Sequence, residues 1–371
     1  MSPSAVATPP VSRKLFVDNL RALTILLLFP FHIFMIYNDW GESWYIHGQA
    51  LTVPSVINGL LSFWRMPLLF AIAGMSAHYA LRRRSIGAFA KERVSKLLIP
   101  LIFGLLLVVP IQPYIAGLYF NGQANYFDSF TKLTDFSGYD GAFTPAHFWF
   151  ILFLFVISMV SLPLMAWRES SNSARFLDKV PLVVVIALGL VPCFAAAVRI
   201  GGKSPTEDLA YFLLGYFFLT NDTLLSQLER YRSVLLGLVI LSAVVSYNHG
   251  FQFYEAVSWL TILCVVGMAQ RYLNFKGRVT SYLAQSSYGV YLFHQTWIVV
   301  AAFAVFKITD SPAIQMPLIF ILAVGLTFLT YELCRRTRLT SWMFGLKRLQ
   351  PASQQQIPQP PSRTEISTQM G

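Results

Sequence analysis

The chain has 371 residues, of which 55% are hydrophobic and 12% are charged, and its formal net charge is +11. Soluble domains usually carry about 25% charged residues, so this composition excludes a soluble globular protein and predicts an all-α polytopic membrane protein. The positive charge does not indicate a nucleic-acid partner, because the lysines and arginines lie in short loops between apolar segments.

Ten apolar segments predict about ten transmembrane helices, of which the sixth and seventh are short. They cover residues 16–38, 55–80, 95–119, 146–167, 181–199, 207–220, 233–247, 254–273, 281–305 and 313–337. With a cytoplasmic N-terminus, the loops on the outer side carry only four basic residues, Lys132, Arg199, Lys203 and Lys307. This asymmetry predicts a multi-pass protein of the bacterial inner membrane with both termini in the cytoplasm.

The two ends of the chain differ in composition from the apolar region. Residues 1–14 are rich in Ser, Ala and Pro, and residues 346–371 are rich in Pro and Gln, so both are predicted to be disordered tails. They flank one transmembrane domain over residues 15–345. The cysteines at 193, 264 and 334 are isolated in apolar sequence, which predicts neither a metal site nor a disulfide framework.

The first apolar segment contains two residues that are costly in a bilayer, Arg21 and His32. Eleven positions along a straight helix correspond to about 16 Å and about three turns, so both side chains are predicted to share one face. Arg21 then lies near the inner surface and His32 in the outer half. Histidine is suited to act as a general base because its ordinary pKa is near neutrality.

Four further histidines fall on the outer side of the predicted topology, of which His47 and His249 are expected to be solvated loop residues. His294 lies in the outer half of the ninth span and is a second candidate catalytic residue, or a core histidine with satisfied hydrogen bonds. His147 opens the fourth span and either joins such a site or anchors the helix at the interface. No Gly-x-Ser-x-Gly or HExxH motif accompanies them, so neither a serine hydrolase nor a zinc enzyme is predicted.

The inner side is basic. Asp18 and Arg21 open the first span, and Arg82, Arg83 and Arg93 lie in the connection between the second and third spans. These arginines either set the topology and bind lipid headgroups or form a phosphate site for a cytoplasmic donor. Arg21 and Arg93 are the stronger phosphate candidates because each lies at a helix end.

Two other charged residues are candidates for function. Arg65 is close to the middle of the second span, where an arginine is either functional or paired structurally with a carbonyl or carboxylate. Glu332 is near the inner end of the tenth span, where it is either functional or neutralises a neighbouring arginine.

Taken together these segments resemble the acyltransferase-3 family of integral membrane enzymes, and within it the glucan biosynthesis protein C group, which succinylates periplasmic glucans. The likeness extends over about residues 13–345. It rests on FVDNLRALTILLLFPFHIFMIY with its Arg-x10-His spacing, FWRMPLLFAIAGMSAHYAL, KERVSKLLIPLIFG, AHFWFILFLFVIS, VTSYLAQSSYGVYLFHQTW and TYELCRR. Each motif alone is weak, whereas their order and spacing are specific.

The resemblance implies an O-acyltransferase with a cytoplasmic acyl-CoA donor, acetyl-CoA or succinyl-CoA, as co-substrate and no permanently bound cofactor. The implied acceptor is an extracytoplasmic carbohydrate or glycosylated compound. Arg21 and His32 match the family's essential pair, and Arg93 matches its basic position at the third span. Some relatives carry a fused extracytoplasmic esterase-like domain. This chain is expected to contact membrane lipids. It is expected either to form a homo-oligomer, to use a separate extracytoplasmic partner, or to transfer the acyl group directly.

Two alternatives remain from the sequence. A transporter or flippase for an anionic or acylated metabolite would also need intramembrane Arg and His, although no internal repeat is evident. A non-catalytic scaffold with the same fold would tolerate replacement of Arg21 and His32. The sequence does not identify the acyl group or the acceptor.

Overall fold

The computed structural model describes residues 14–41, 44–134, 136–170, 172–200, 202–248 and 254–349. Within these ranges the chain forms α-helices and no β-strand. The α-helices are α1 Leu15–Leu26, α2 Leu28–Met35, α3 Thr52–Leu81, α4 Ile86–Arg93, α5 Ile99–Leu107, α6 Ile111–Asn121, α7 Asp128–Thr131, α8 Trp149–Val160, α9 Leu162–Ser170, α10 Leu182–Ala187, α11 Leu190–Ala195, α12 Pro205–Phe217, α13 Asp222–Arg230, α14 Arg232–Asn248, α15 Tyr254–Tyr272, α16 Arg278–Val305, α17 Pro312–Cys334 and α18 Arg338–Met343. A π-helical turn, Val94–Leu98, joins α4 to α5, and 3₁₀ turns cover Ala146–Phe148 and Asn172–Lys179.

Five helical segments of the described chain are long and apolar enough to cross a membrane, and a sixth consists of two helices that meet at 46°. The five are Leu15–Met35, Thr52–Leu81, Ile86–Asn121, Arg278–Val305 and Pro312–Cys334, and the bent pair is Ala146–Val160 with Leu162–Ser170. These segments fit a polytopic membrane protein and coincide with six of the ten predicted spans.

The other four predicted spans are helical, but they are not both long enough and apolar enough to count as candidate membrane spans. The shorter apolar helices are Leu182–Ala195 and Arg232–Ser246, and α12 has 13 residues. At 1.5 Å per residue, these three helices are about 20–26 Å long, which is less than the roughly 30 Å of a bilayer core. The fourth, α15, has 19 residues and is long enough, but it is not apolar enough. Ten complete spans and cytoplasmic termini therefore remain predictions.

The first span is not one straight helix. It is divided at Leu27 into α1 and α2, although both parts continue in nearly the same helical conformation. Pro30 explains the position of the break, because its ring has no N–H and conflicts with the carbonyl four residues earlier, at Leu26. Arg21 lies on α1 and His32 on α2, and the common face predicted for these two side chains on one straight helix remains a prediction.

Helix α16 is the central element of the bundle. It packs against α1, α2, α6 and α17. In the most apolar stretch of α16, 72% of the residues are buried inside the protein, whereas the corresponding share for α17 is 22%. α16 therefore faces other helices on most of its surface, and α17 lies at the periphery.

The closest helix contact joins α3 to α12 through two glycines. A β-carbon at Gly74 would lie 2.0 Å from the carbonyl oxygen of Phe212, and one at Gly215 would lie 2.1 Å from the carbonyl oxygen of Ala71. Glycine at both positions thus lets the two backbones touch, which is a common way to pack helices in a membrane.

The predicted tails fall mostly outside the described residues, which begin at Lys14 and end at Leu349. Near the predicted boundary at residue 345, Leu346 is buried, and the backbone N–H of Leu349 donates to the carbonyl oxygen of Arg335. Lys14 forms an ion pair with Asp222 at 2.6 Å.

We predict that Gly74→Ala destabilises the protein because the added methyl group forces α3 and α12 apart. Overpacking of this kind typically costs about 1–3 kcal/mol. Gly325→Ala on α17 is the matched control, because a β-carbon there meets nothing within 4 Å. Thermal unfolding in detergent should show a Tm several degrees lower for Gly74→Ala and no decrease for Gly325→Ala. Equal Tm values for the two variants would show that the contact is looser than described.

Candidate active site

Three histidines from separate parts of the chain meet inside the helix bundle. The ring centroids of His32 on α2 and His294 on α16 are 5.2 Å apart. His147, in the 3₁₀ turn before α8, places its ring 5.0 Å from that of His294. His294 is therefore in the middle of the cluster, and all three residues predicted on the outer side from sequence are brought together.

Hydrogen bonds to backbone carbonyls determine which ring nitrogens carry protons in the neutral histidines. Nδ1 of His294 lies 2.8 Å from the carbonyl oxygen of Tyr291, and Nε2 of His147 lies 3.1 Å from that of Leu292. A carbonyl oxygen only accepts, so these two nitrogens are the donors. The remaining nitrogens, Nε2 of His294 and Nδ1 of His147, are then acceptors.

The acceptor nitrogens are buried and unused. Within the described part of the chain, Nε2 of His294, Nδ1 of His147 and Nδ1 of His32 have no hydrogen-bond partner. Buried polar atoms are normally paired, and leaving one unpaired costs about 1–3 kcal/mol. Three such atoms in one cluster indicate a place where a substrate or ordered water supplies the missing donors.

Aromatic rings form the walls of this cluster. The indole of Trp44 stacks on His32 with an interplanar angle of 14°, and Phe31 contacts the same imidazole at its edge. Tyr291 packs against both His147 and His294, and its hydroxyl donates to the carbonyl oxygen of His147. The imidazoles are thus held in fixed orientations by packing as well as by hydrogen bonds.

A buried polar chain fixes α16 next to His294. The Gln295 amide donates to Gln112 at 2.9 Å, Gln112 donates to the Thr296 hydroxyl at 2.8 Å, and that hydroxyl donates to the carbonyl oxygen of Val108. Gln112 is on α6 and Val108 follows α5, so the chain joins the α5–α6 connection to the helix that carries the central histidine.

Arg65 lies beside the histidines without a charged partner. Its guanidinium carbon is 3.4 Å from the centroid of the Phe31 ring, and the residue is 3% exposed. None of the ion pairs among the described residues includes Arg65, and its Nε and Nη1 have no hydrogen-bond partner. Arg65 and Lys203 are both close enough for their charges to act on His32.

A second polar group forms at the opposite end of the first span, which the sequence predicts to be the inner end. Arg21 pairs with Asp18 at 2.8 Å, and both side chains keep partial access to solvent. The guanidinium of Arg93 lies over the ring of Phe89, its Nε has no hydrogen-bond partner in the described chain, and its charge interacts with that of Arg21. The two arginines favoured from sequence are therefore close enough for their charges to act on each other.

The remaining predicted residues lie elsewhere. Arg82 and Arg83 follow the end of α3 and are exposed. Glu332 accepts a hydrogen bond from Tyr282 at 2.8 Å and pairs with Arg335 at 2.9 Å. Tyr282 is twelve residues from His294 on α16, a distance of about 18 Å along the helix, so Glu332 is not part of the histidine cluster.

Sequence reasoning did not find Trp44, Tyr291 or the Gln112–Gln295 chain. Trp44 lies in a loop, where no periodicity places it. Tyr291 precedes His294 by one helical turn, so the two side chains share a face of α16, and this spacing is the feature of the sequence that indicates their contact. Within the described ranges, no group of three or more His, Cys, Asp or Glu side chains is arranged to hold a metal ion.

Comparisons with known proteins agree with the resemblance seen in the sequence. The profile of the acyltransferase-3 family, described as an acyltransferase domain, matches residues 14–332. The glucans biosynthesis protein C of Salmonella typhi is 22% identical over 92% of this chain and 97% of its own length. The proteins of the same name from Salmonella schwarzengrund and Escherichia coli O17:K52:H18 are each 24% identical, over 92% and 91% of this chain and 97% and 96% of their own lengths. No solved structure matches.

Proposed function

Because this chain belongs to the acyltransferase-3 family and is a membrane acyltransferase, we propose that it moves an acyl group from cytoplasmic acyl-CoA to a hydroxyl group of a carbohydrate outside the membrane. The observation that carries this proposal is the cluster of His32, His147 and His294 with unpartnered, buried nitrogens. Activation of a hydroxyl group requires a base with a free lone pair, and these nitrogens provide one in a site that holds little water.

The donor is proposed to bind at the inner end of the first span. Arg21 and Arg93 are adjacent cations at helix ends, and arginine suits the phosphates of coenzyme A because its N–H groups bind two oxygens at once. Asp18 orients Arg21 before the donor arrives. The exposed Arg82 and Arg83 add positive potential to the same side of the membrane, which attracts the anionic donor.

The acyl group then reaches the histidines through the bundle. An extended pantetheine arm is on the order of 15–20 Å long, similar to the rise of about 16 Å between positions 21 and 32 of a helix. A donor held by its phosphates at Arg21 therefore places its thioester near His32. The orientation rests on the basic inner loops, which also support a multi-pass location in the bacterial inner membrane.

His32 is proposed as the general base and His294 as its neighbour in the catalytic cluster. The neutral imidazole of His32 takes the proton of the acceptor hydroxyl while the oxygen attacks the thioester carbonyl. The Tyr291 carbonyl keeps the proton of His294 on Nδ1, so its Nε2 is also available as an acceptor. Trp44 and Tyr291 restrict the orientation of these rings, which favours proton transfer in one direction.

The chemistry of the two substrates follows from the relatives. The matched proteins are named for glucan biosynthesis, so a glucan is the first acceptor to test. Acetyl and succinyl groups are the first acyl groups to test.

We predict that His32→Gln abolishes acylation, because loss of a general base typically costs 10²–10⁴-fold in rate. The measurement is mass spectrometry of envelope glycans from cells that lack the gene and are complemented with wild-type protein, His32→Gln or His78→Gln at equal expression. His78 is the matched control, because it lies toward the inner end of α3 and pairs with Glu169. An unchanged acyl mass on the glycans of the His32→Gln strain would refute the catalytic role.

Replacement of Arg21 should weaken donor binding rather than acceptor use. We expect Arg21→Gln to raise the KM for acyl-CoA by about 10–100-fold, the equivalent of one lost charge-assisted hydrogen bond, and to leave the KM for glucan oligosaccharides within about twofold. Release of free thiol by the purified protein measures both constants. The exposed Arg336→Gln serves as the control. An unchanged KM for acyl-CoA in Arg21→Gln would exclude a phosphate-binding role.

A further inference from the structure

Arg65 is a buried cation for which the described chain provides no anion. Its Nε and Nη1 make no hydrogen bond, and its guanidinium lies over the face of the Phe31 ring in a cation–π contact. Arginine stays protonated in proteins, and its planar guanidinium can bind two acceptor oxygens at once. A structural pairing with a carbonyl or carboxylate, the alternative open from sequence, is not found among the described residues.

The position of Arg65 connects it to the histidine cluster. It lies on α3 against Phe31, and Phe31 contacts His32 at a ring-centroid distance of 5.1 Å. The charge of Arg65 acts on both His32 and His294. An unpaired cation in a low-dielectric site interacts strongly with any negative charge that appears there, because no solvent screens it.

We propose that Arg65 is a further catalytic residue whose N–H groups bind the thioester carbonyl oxygen as that oxygen becomes negatively charged. This inference rests on the proposed function. The acceptor oxygen forms a bond to the carbonyl carbon, its proton passes to His32, and the π-electron pair moves to the carbonyl oxygen. The tetrahedral oxyanion then re-forms the C=O bond, the C–S bond breaks, and the coenzyme A thiolate takes the proton from His32.

The charge balance of this step favours the carbonyl oxygen as the ligand. Proton transfer gives His32 a positive charge next to Arg65, and the two cations repel each other. An oxyanion at the reacting carbon appears at the same moment and is attracted to both. Donors that are fixed in place before the reaction and aimed at a developing oxyanion each contribute about 10²–10³-fold to the rate in other acyl-transfer enzymes.

The test compares Arg65→Gln and Arg65→Lys with wild-type protein purified in detergent. Initial rates of thiol release are measured with acetyl-CoA, succinyl-CoA and butyryl-CoA, and glucan oligosaccharides serve as the acceptor. Arg65→Gln should lower kcat by about 10²–10³-fold with every donor that the wild-type protein uses, and the KM for the donor should change less than about threefold. Arg65→Lys keeps the charge and should recover part of the rate.

Arg271→Gln is the matched control, because this arginine is largely exposed and lies 3.9 Å from Glu229. Size-exclusion profiles and Tm values establish whether each variant is folded. If Arg65→Gln does not fold, Arg65→Lys decides: a reduced kcat at unchanged KM supports the proposal, and a wild-type kcat overturns it.

Other results overturn the inference in distinct ways. A rise in KM confined to succinyl-CoA, with butyryl-CoA unaffected, would assign Arg65 to the distal carboxylate of the acyl group. An unchanged kcat in Arg65→Gln would leave Arg65 a structural role only. Activity that survives His32→Gln would instead refute the proposed function, so failure of the two proposals is distinguishable.

Discussion

The main physical constraint on this structure is that several polar nitrogens are buried without partners inside an apolar helix bundle. His32, His147, His294 and Arg65 all have buried ring or guanidinium nitrogens without partners in the described chain. Each such atom destabilises the fold, and the cost is offset only by the packing of α16 and α3 against their neighbours. Placing several of these atoms in one region is unfavourable for stability alone, which is the physical reason for proposing the cluster as the catalytic site.

The rest of the bundle serves to hold these atoms in place. The glycine contact between α3 and α12 fixes the helix that carries Arg65, and the Gln112–Gln295 chain fixes the helix that carries His294. Pro30 explains the break of the first span at Leu27, and both α1 and α2 pack against α16. Arg21 lies on α1, before that break, and its side chain is partly exposed.

The sequence predicted the all-helical class, six of the long apolar segments and the presence of Asp18 and Arg21 at one end of the first span, whereas the ion pair between them is a finding of the structure. Hydropathy identifies these features because each depends on local composition. The contact of His147 with His294 depends on packing between elements about 150 residues apart, and the stacking of Trp44 depends on the course of a loop. Neither has a local signal. The predicted spans in the region of α10–α14 form shorter helices, because apolar composition alone does not give the helix length.

We propose that one catalytic site transfers an acyl group from a donor on one side of the membrane to an acceptor on the other. The direct measurement uses proteoliposomes with glucan oligosaccharides trapped inside and acyl-CoA, labelled in the acyl group, added outside. The account predicts label on the trapped oligosaccharides with wild-type protein and none with His32→Gln. Label that forms only when donor and acceptor share a compartment would contradict transfer across the membrane.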